Sequence, residues 1–307
     1  MSVVLAVRSR LSVKISLALA VVLLVLTAVA AGLITVNQTR QMEAMTLEKA
    51  RLAASAGARQ WGDTLDAAID AGRLTVADVF DRDHQEIKGW AWGQNPKFHT
   101  RYDAFTDKAV LVFQDRLLEA SPDFIFAVGV DETGYLPTHN TRYQKALTGD
   151  PAKDLAGNRS KRKFSDPVGL AAARNTEPSL QQIYPRDTGE MAWDVSSPIY
   201  VKGKHWGGFR IGVSMGRIAE AQRALLLRLI ALFAVFAAVT IATVFLVVQR
   251  SMRPVRLLTE AAEAISMGEG LDTPIRTDAV DEIGQLTKAV ERLRVSMRAA
   301  MSRITGA

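Results

Sequence analysis

Cysteine is absent from the 307 residues. That excludes disulfide staples, thiolate zinc sites, iron–sulfur clusters and covalently attached c-type haem, all of which need it. Histidine is scarce: four residues, none of them after His205. Two stretches, residues 15–36 and 229–248, lack any ionisable side chain. At ~1.5 Å per residue each is long enough for a helix to cross a ~30 Å hydrocarbon layer. The chain is therefore read as a membrane protein, which excludes a soluble cytosolic enzyme. Because neither stretch carries an internal carboxylate, lysine, arginine or histidine, the spans are expected to be anchors and signal carriers with no ion pathway or transport site. A composition of 48% hydrophobic and 23% charged residues argues against disorder.

The formal charge is +6 and the isoelectric point near 9.6, but the basic residues are scattered among acidic ones and cluster beside the spans. No nucleic-acid partner is expected. Arg8, Arg10 and Lys14 precede the first span, and Arg250, Arg253 and Arg256 follow the second. Both ends are thus placed in the cytoplasm, although Arg217, Arg223 and Arg228 on the outer flank weaken the charge rule. Twenty-two apolar residues in the first run exceed the roughly 7 to 15 of a signal-peptide core. The run is read as a retained helix. The expected order is a tail (1–14), a span (15–36), an outer domain with stalk helices (37–228), a second span (229–249) and a cytoplasmic segment (250–304).

The outer segment opens with a polar helical pattern over 37–61, free of Gly and Pro until Gly57, as a stalk continuing the first span. A second helix is expected over 102–120, with Ala109, Val110, Phe113, Leu117 and Leu118 at three-to-four spacing. Residues 124–130 read as a strand ended by Asp131-Glu132-Thr133-Gly134, with 135–140 as its hairpin partner. An irregular insertion, 141–178, holds a short helix near 168–174. Three strands then follow at 180–184, 191–201 and 205–215, joined by turns at Arg186-Asp187-Thr188-Gly189 and Lys202-Gly203-Lys204. The expected class is α+β: an antiparallel sheet of about five strands with two helices against it, followed by a helix from Arg217 into the second span.

Four segments carry a resemblance: Gly134-Tyr135-Leu136-Pro137-Thr138-His139-Asn140, Asn158-Arg159-Ser160-Lys161-Arg162-Lys163-Phe164, Gly169-Leu170-Ala171-Ala172-Ala173-Arg174-Asn175 and His205-Trp206-Gly207-Gly208-Phe209-Arg210. In order over roughly residues 80 to 215, they resemble the Cache/PAS-like sensor regions of bacterial methyl-accepting chemotaxis proteins. That resemblance implies a periplasmic, ligand-binding sensor.

At the other end Val255, Leu258, Ala262 and Ile265 step 3, 4, 3, and Ile283, Leu286, Val290, Leu293 and Met297 step 3, 4, 3, 4. Each set is the seam of a coiled coil. Between them Gly268, Gly270 and Pro274 break the helix, with Leu271 and Ile275 as isolated apolar residues. Extended, the connector reaches up to ~40 Å, more than the ~22 Å of a first helix of about fifteen residues, so the second helix can run parallel to the first. This segment resembles the HAMP domain, a homodimeric parallel four-helix bundle. The match includes Pro254 after the membrane exit and Asp281-Glu282-Ile283-Gly284 opening the second helix. The resemblance implies that Pro254 and Glu282 carry the family's roles, Glu282 by contact with the start of the first helix, with Ile283 and Leu286 on the signalling seam. It departs from the family at Val290, where a bulky aromatic is common. The steps 4, 4, 3 through Leu293, Met297, Met301 and Ile304 form a stutter.

The basic run Arg159, Lys161, Arg162 and Lys163 is either an anion-binding patch or a solvated loop. Arg101 and Arg210 are candidates to join it in a pocket. Tyr102 and His139 complete the candidate ligand set with Asp194, which lies on a strand face shared with Trp193 and Val195. Asp194 either orients a ligand amine or pairs with a cation. Trp90, Trp92, Tyr102, Trp193 and Trp206 are read as core or pocket wall. His84, His99, His139 and His205 leave a b-type haem open without any ligand spacing to support it. No metal site, catalytic residue or cofactor is expected, since no phosphoacceptor histidine or phosphate loop is present.

The expectation is a homodimeric, multi-pass receptor of the bacterial inner membrane. It senses a small molecule in the periplasm and passes the signal through HAMP to a cytoplasmic output or chemoreceptor partner, the chain's own output domain being supplied elsewhere or lost by truncation. Two alternatives stand beside it: a membrane-tethered haem- or redox-binding sensor, and a modulator forming mixed dimers with full-length chemoreceptors.

Overall fold

The computed structural model describes residues 11–88 and 96–304. Arg8, Arg10, Trp90 and Trp92 lie outside them. The chain divides into two units, residues 36–226 and residues 1–35 with 227–307. Helix α1 (Leu11–Asp70) leads from the second of these into the first, and helix α7 (Met215–Ser266) leads back. Both are long and apolar enough to cross a membrane.

Unit 36–226 is built on a four-stranded sheet of order β3 (Phe124–Asp131), β8 (Lys204–Ser214), β7 (Met191–Val201) and β6 (Leu180–Pro185), antiparallel throughout. One face is dry. There α1 lays down a stripe of small side chains, Ala50, Ala54 and Ala58, followed by Trp61 and Leu65. They pack on Trp193, Val195, Phe209, Ile211 and Val213 of β7 and β8. Small residues let the helix come close: a β-carbon on Gly57 would stand 2.2 Å from the Phe209 ring, and one on Gly129 would stand 2.7 Å from the Trp61 indole. The helix ends in a Schellman turn. Arg73 N–H donates to Ala68 O (2.9 Å) and Gly72 N–H to Ile69 O (3.0 Å), with Gly72 at φ +65.

Around this core lie α2 (Val76–Val79), closed by a Thr75/Asp78 capping box, the ribbon β1 (Gln85–Glu86) with β2 (Phe98–His99), and helices α3 (Asp103–Ala109) and α4 (Leu111–Glu119). The single helix expected over 102–120 is thus two, divided at Val110.

The opposite sheet face carries Phe126, Val128 and Ala192. It is covered by the insertion: β4 (Tyr135–Leu136) paired with β5 (Arg162–Lys163), a 3-10 turn at Thr141–Tyr143, α5 (Pro151–Gly157) and α6 (Pro167–Arg174). The expected hairpin between 124–130 and 135–140 does not form, which leaves four strands in the sheet where about five were expected. Side chains take the place of the missing strand. Ala127 N–H donates to Asn140 Oδ1 (2.9 Å) and Gly129 N–H to Gln114 Oε1 (3.2 Å), while Gln114 Nε2 donates to Thr138 O (3.1 Å). The free edge of β3 is thereby satisfied by two amides, and the chain after the turn is released to lie over the sheet.

In the other unit, α7 continues from the apolar stretch through Pro254 to Ser266, and α8 spans Glu282–Ile304. Leu258 and Ile265 of α7 are buried, as are Thr287 and Arg294 of α8.

Candidate functional site

Between the insertion and the sheet lies a cavity of about 710 Å³. Phe126, Val128, Leu136, Leu155 and Phe164 are among its apolar lining, and four arginines also line it: Arg159, Arg162, Arg186 and Arg210. All four are buried. They come from three places that the fold brings together. Arg159 precedes β5 and Arg162 opens it, Arg186 sits in the tight β6–β7 turn, and Arg210 lies on β8. Each guanidinium rests over an aromatic ring. Arg159 and Arg162 stand 5.2 and 5.0 Å from the Phe164 centroid, and Arg186 and Arg210 stand 5.8 and 5.7 Å from that of Phe126. The stacking fixes the plane of each fork and leaves its edge for hydrogen bonds.

Among the described residues, three carboxylates form ion pairs with them. Asp187 is shared, 2.9 Å from Arg159 and 3.4 Å from Arg162; Arg186 pairs with Glu190 (3.1 Å); Arg210 Nε donates to both oxygens of Asp194, at 3.0 and 3.2 Å. Burial and the neighbouring charge of Arg159 pull the Arg162 guanidinium down to about 10. Burial would raise the Asp187 carboxyl, but Arg159, by charge and hydrogen bond, and Arg162 outweigh it and hold it below the usual range. Burial, then Arg159 and Arg186, push His139 well below its ordinary value, so it is neutral; its Nδ1 accepts the Asn140 N–H at 2.8 Å. The result is a pocket with an apolar body and an excess of positive charge.

Of the candidate residues, His139, Arg159, Arg162 and Arg210 line this one cavity. Asp194 stands behind Arg210, fully buried. The face assigned to it in sequence is corrected: strand alternation turns Asp194 away from Trp193 and Val195. Two candidates lie elsewhere. Arg101 is 66% exposed and sits 3.7 and 3.8 Å from Asp78 and Asp81. Tyr102 is buried in the dry core and donates to Asp131 Oδ2 at 3.2 Å. Arg186 and Asp187, which the sequence gives only as a turn, also line the cavity, brought there by strand order and not by any spacing. The histidines have separate partners: His84 stands 3.1 Å from Asp131 and His205 stands 3.1 Å from Asn175 O, while His99 is exposed on β2. Among the described residues no three His, Asp or Glu side chains are grouped to hold a metal ion.

At the other unit, Asp281 caps α8, accepting from Ile283 N–H (3.0 Å) and Gly284 N–H (3.2 Å). Glu282 is exposed in the first turn, Ile283 half-buried, and Leu286 44% exposed. The connector is tied to α8 by two residues the sequence reading passed over. Glu291 Oε2 accepts the Ile275 N–H (2.9 Å), and Arg294, 2.7 Å from Glu291 Oε1, donates to Leu271 O. Hydrogen bonds from Arg294 and from the Ile275 amide lower the Glu291 carboxyl to about 2.

Comparison with known proteins gives one family match: the HAMP domain, over residues 246–299. No curated protein sequence matches the chain. Among solved structures, the crystal structure of the E. coli DcuS sensor domain is similar at 20% identity, over 38% of this chain and 72% of that one, with a TM-score of 0.28. Nothing is read from a likeness at that score. Residues 246–299 match the HAMP domain, and they lie in a chain whose two helices long and apolar enough to cross a membrane flank an α+β unit.

Proposed function

We propose that unit 36–226 is a periplasmic sensor for a small organic anion, and that α7 passes its occupancy to the HAMP domain and on to an output partner in another chain. The observation that supports this reading is the cavity: it gathers four buried guanidiniums, each braced on an aromatic ring, with Lys163 beside them, against an apolar wall. A cluster of like charges is costly to bury. A carboxylate or phosphate would offset that cost through charge-assisted, forked hydrogen bonds. The apolar remainder of the wall suits a ligand whose charged group is carried on a hydrocarbon or aromatic body.

A second copy of the chain is part of the proposal. Leu286, Leu293 and Met301, on the seam of α8, are 44%, 53% and 40% exposed in the single chain, and a partner helix pair would cover them. A ligand shifts the receptor only by its affinity difference between two states, so the cavity must differ between the two settings of α7.

Calorimetry on the full chain in lipid nanodiscs, titrated with acetate, malonate, citrate, inorganic phosphate and the cation glycinamide, tests the reading. Heat from at least one anion and none from glycinamide is expected, with binding about ten-fold weaker in Arg159→Gln. Silence from every anion, or heat unchanged in Arg159→Gln and Arg162→Gln, rejects it.

A further inference from the structure

We propose that Arg186 is the residue through which the cavity reports to the second membrane helix, because its counter-ion is part of the N-terminal cap of α7. This rests on the anion reading above but adds a residue-level route to it. The turn at residues 186–190 is short and closed on itself: Arg186 N–H donates to Glu190 O (2.9 Å) and Gly189 N–H to Arg186 O (2.8 Å), with Gly189 at φ +83. It holds Arg186 and Asp187 at the cavity and Glu190 on the far side.

Glu190 bridges two partners. Its Oε2 is 3.1 Å from Arg186 Nη1, and its Oε1 accepts the hydroxyl proton of Ser214. Ser214 is the last residue of β8, and its Oγ in turn accepts the Arg217 N–H at 3.2 Å. That is the bond an N-cap serine makes to the third residue of a helix, here the helix that becomes the second span. Donation to a carboxylate polarises the serine oxygen and strengthens it as an acceptor.

The cavity and the cap are therefore joined by three consecutive polar contacts, Arg186 to Glu190 to Ser214 to the Arg217 amide, all within one unit. An anion that takes the Arg186 fork brings negative charge up to Glu190 and removes its cation. Glu190, already partly exposed, then turns to water, Ser214 loses its charged acceptor, and the first turn of α7 loosens. Arg159 and Arg162 share Asp187, which among the described residues has no bond to α7; they bind without reporting.

The test needs no ligand. Amide hydrogen exchange is followed over residues 214–218 of the full chain in nanodiscs. Ser214→Ala is expected to speed exchange there about five-fold, the loss of a cap, and Arg186→Ala about three-fold, the loss of the charge-assisted bond. The double variant should match Ser214→Ala, since both act on one bond. Arg186→Lys, which keeps the cation, should restore wild-type exchange, and Arg101→Ala, outside the cavity, should leave it unchanged. Unaltered protection in β7 and β8 shows that each variant is folded; should Arg186→Ala lose it, Arg186→Gln takes its place.

Unchanged or slowed exchange in the Arg186 variant overturns the relay, as do effects that simply add in the double variant. The two claims fail separately. If Arg186→Ala loosens the turn but acetate, malonate, citrate and phosphate give no heat, the relay stands and the anion reading falls. If an anion gives heat and Arg186→Ala leaves the turn as in wild type, the relay falls.

Discussion

The two faces of the four-stranded sheet are made by the same strands and have opposite characters. Toward α1, Trp193, Val195, Phe209, Ile211 and Val213 meet Trp61 and an alanine stripe, with the buried Asp131 held at the margin by Tyr102 and His84. Toward the insertion, the residues between them place Asp194 and Arg210 beside Phe126, under a cavity edged by three more arginines. A strand's period of two is what permits this: one register fixes a tightly packed face and a charged face at once. The packed face holds the sheet to the helix that enters the unit, so the strands serve as a fixed floor for the charged one.

If that division is right, substitutions on the two faces should fail in different ways. The largest effect belongs to the packed face. Trp61→Ala removes the side chain at the centre of that cluster and should lower unfolding stability by about 4 kcal/mol, read by urea denaturation followed by circular dichroism. Its effect on anion affinity in the fraction that stays folded should be nil.

Next is the buried pair beneath the cavity. Asp194→Leu strands the Arg210 guanidinium and should cost about 3 kcal/mol, whereas Asp194→Leu with Arg210→Met should recover most of that, as expected when a buried ion pair is replaced whole. Equal losses in the single and double variants would place the value of this pair in shape, with no part for charge. Third, Arg159→Gln should weaken binding of the anion found by calorimetry about ten-fold, since a charge-assisted hydrogen bond is worth about 1.5 kcal/mol, while its midpoint in urea moves little.

The packed face and the HAMP helices were legible from the sequence because each is a repeated pattern. The alternation of Phe209, Ile211 and Val213 gives a strand, and the 3-4 steps of Val255 to Ile265 and Ile283 to Met297 give two helices. Residues 246–299 do match the HAMP domain. The hairpin was misread for a physical reason. Asp131 to Gly134 does form a turn, with Asp131 Oδ1 accepting from the Thr133 and Tyr135 amides. Whether the next segment pairs, however, is decided by Gln114 and Asn140, two amides far from any pattern.

The cavity was legible in part. The run from Arg159 to Lys163 announced its charge, but pattern reading has no means to bring Arg186 beside Arg159, because that contact is made by strand order and not by spacing. Glu291 and Arg294 were hidden in the same way: on the helix they look like an ordinary surface pair, and only the returning connector shows what they hold.

The smallest effect is the most diagnostic, because it should move stability and affinity in opposite directions. Asp187 is shared by Arg159 and Arg162 and would compete there with an incoming anion. Its folded pKa lies below the ordinary carboxylate value, so its contribution to stability is complete above about pH 4 and is lost as pH falls through the folded value. Over that same interval the protonated Asp187 no longer opposes an anion, and the affinity for sulfate, which stays an anion throughout, should rise as the fold weakens. Asp187→Asn imposes the protonated charge at neutral pH. It should bind sulfate about three-fold more tightly than wild type, unfold at slightly lower urea, and show no further gain in affinity on acidification, all measurable by calorimetry and denaturation on one preparation. A sulfate affinity that is the same in Asp187→Asn and wild type would mean that the arginines face a competitor other than Asp187. The charged face of the sheet would then be as closed as the packed one.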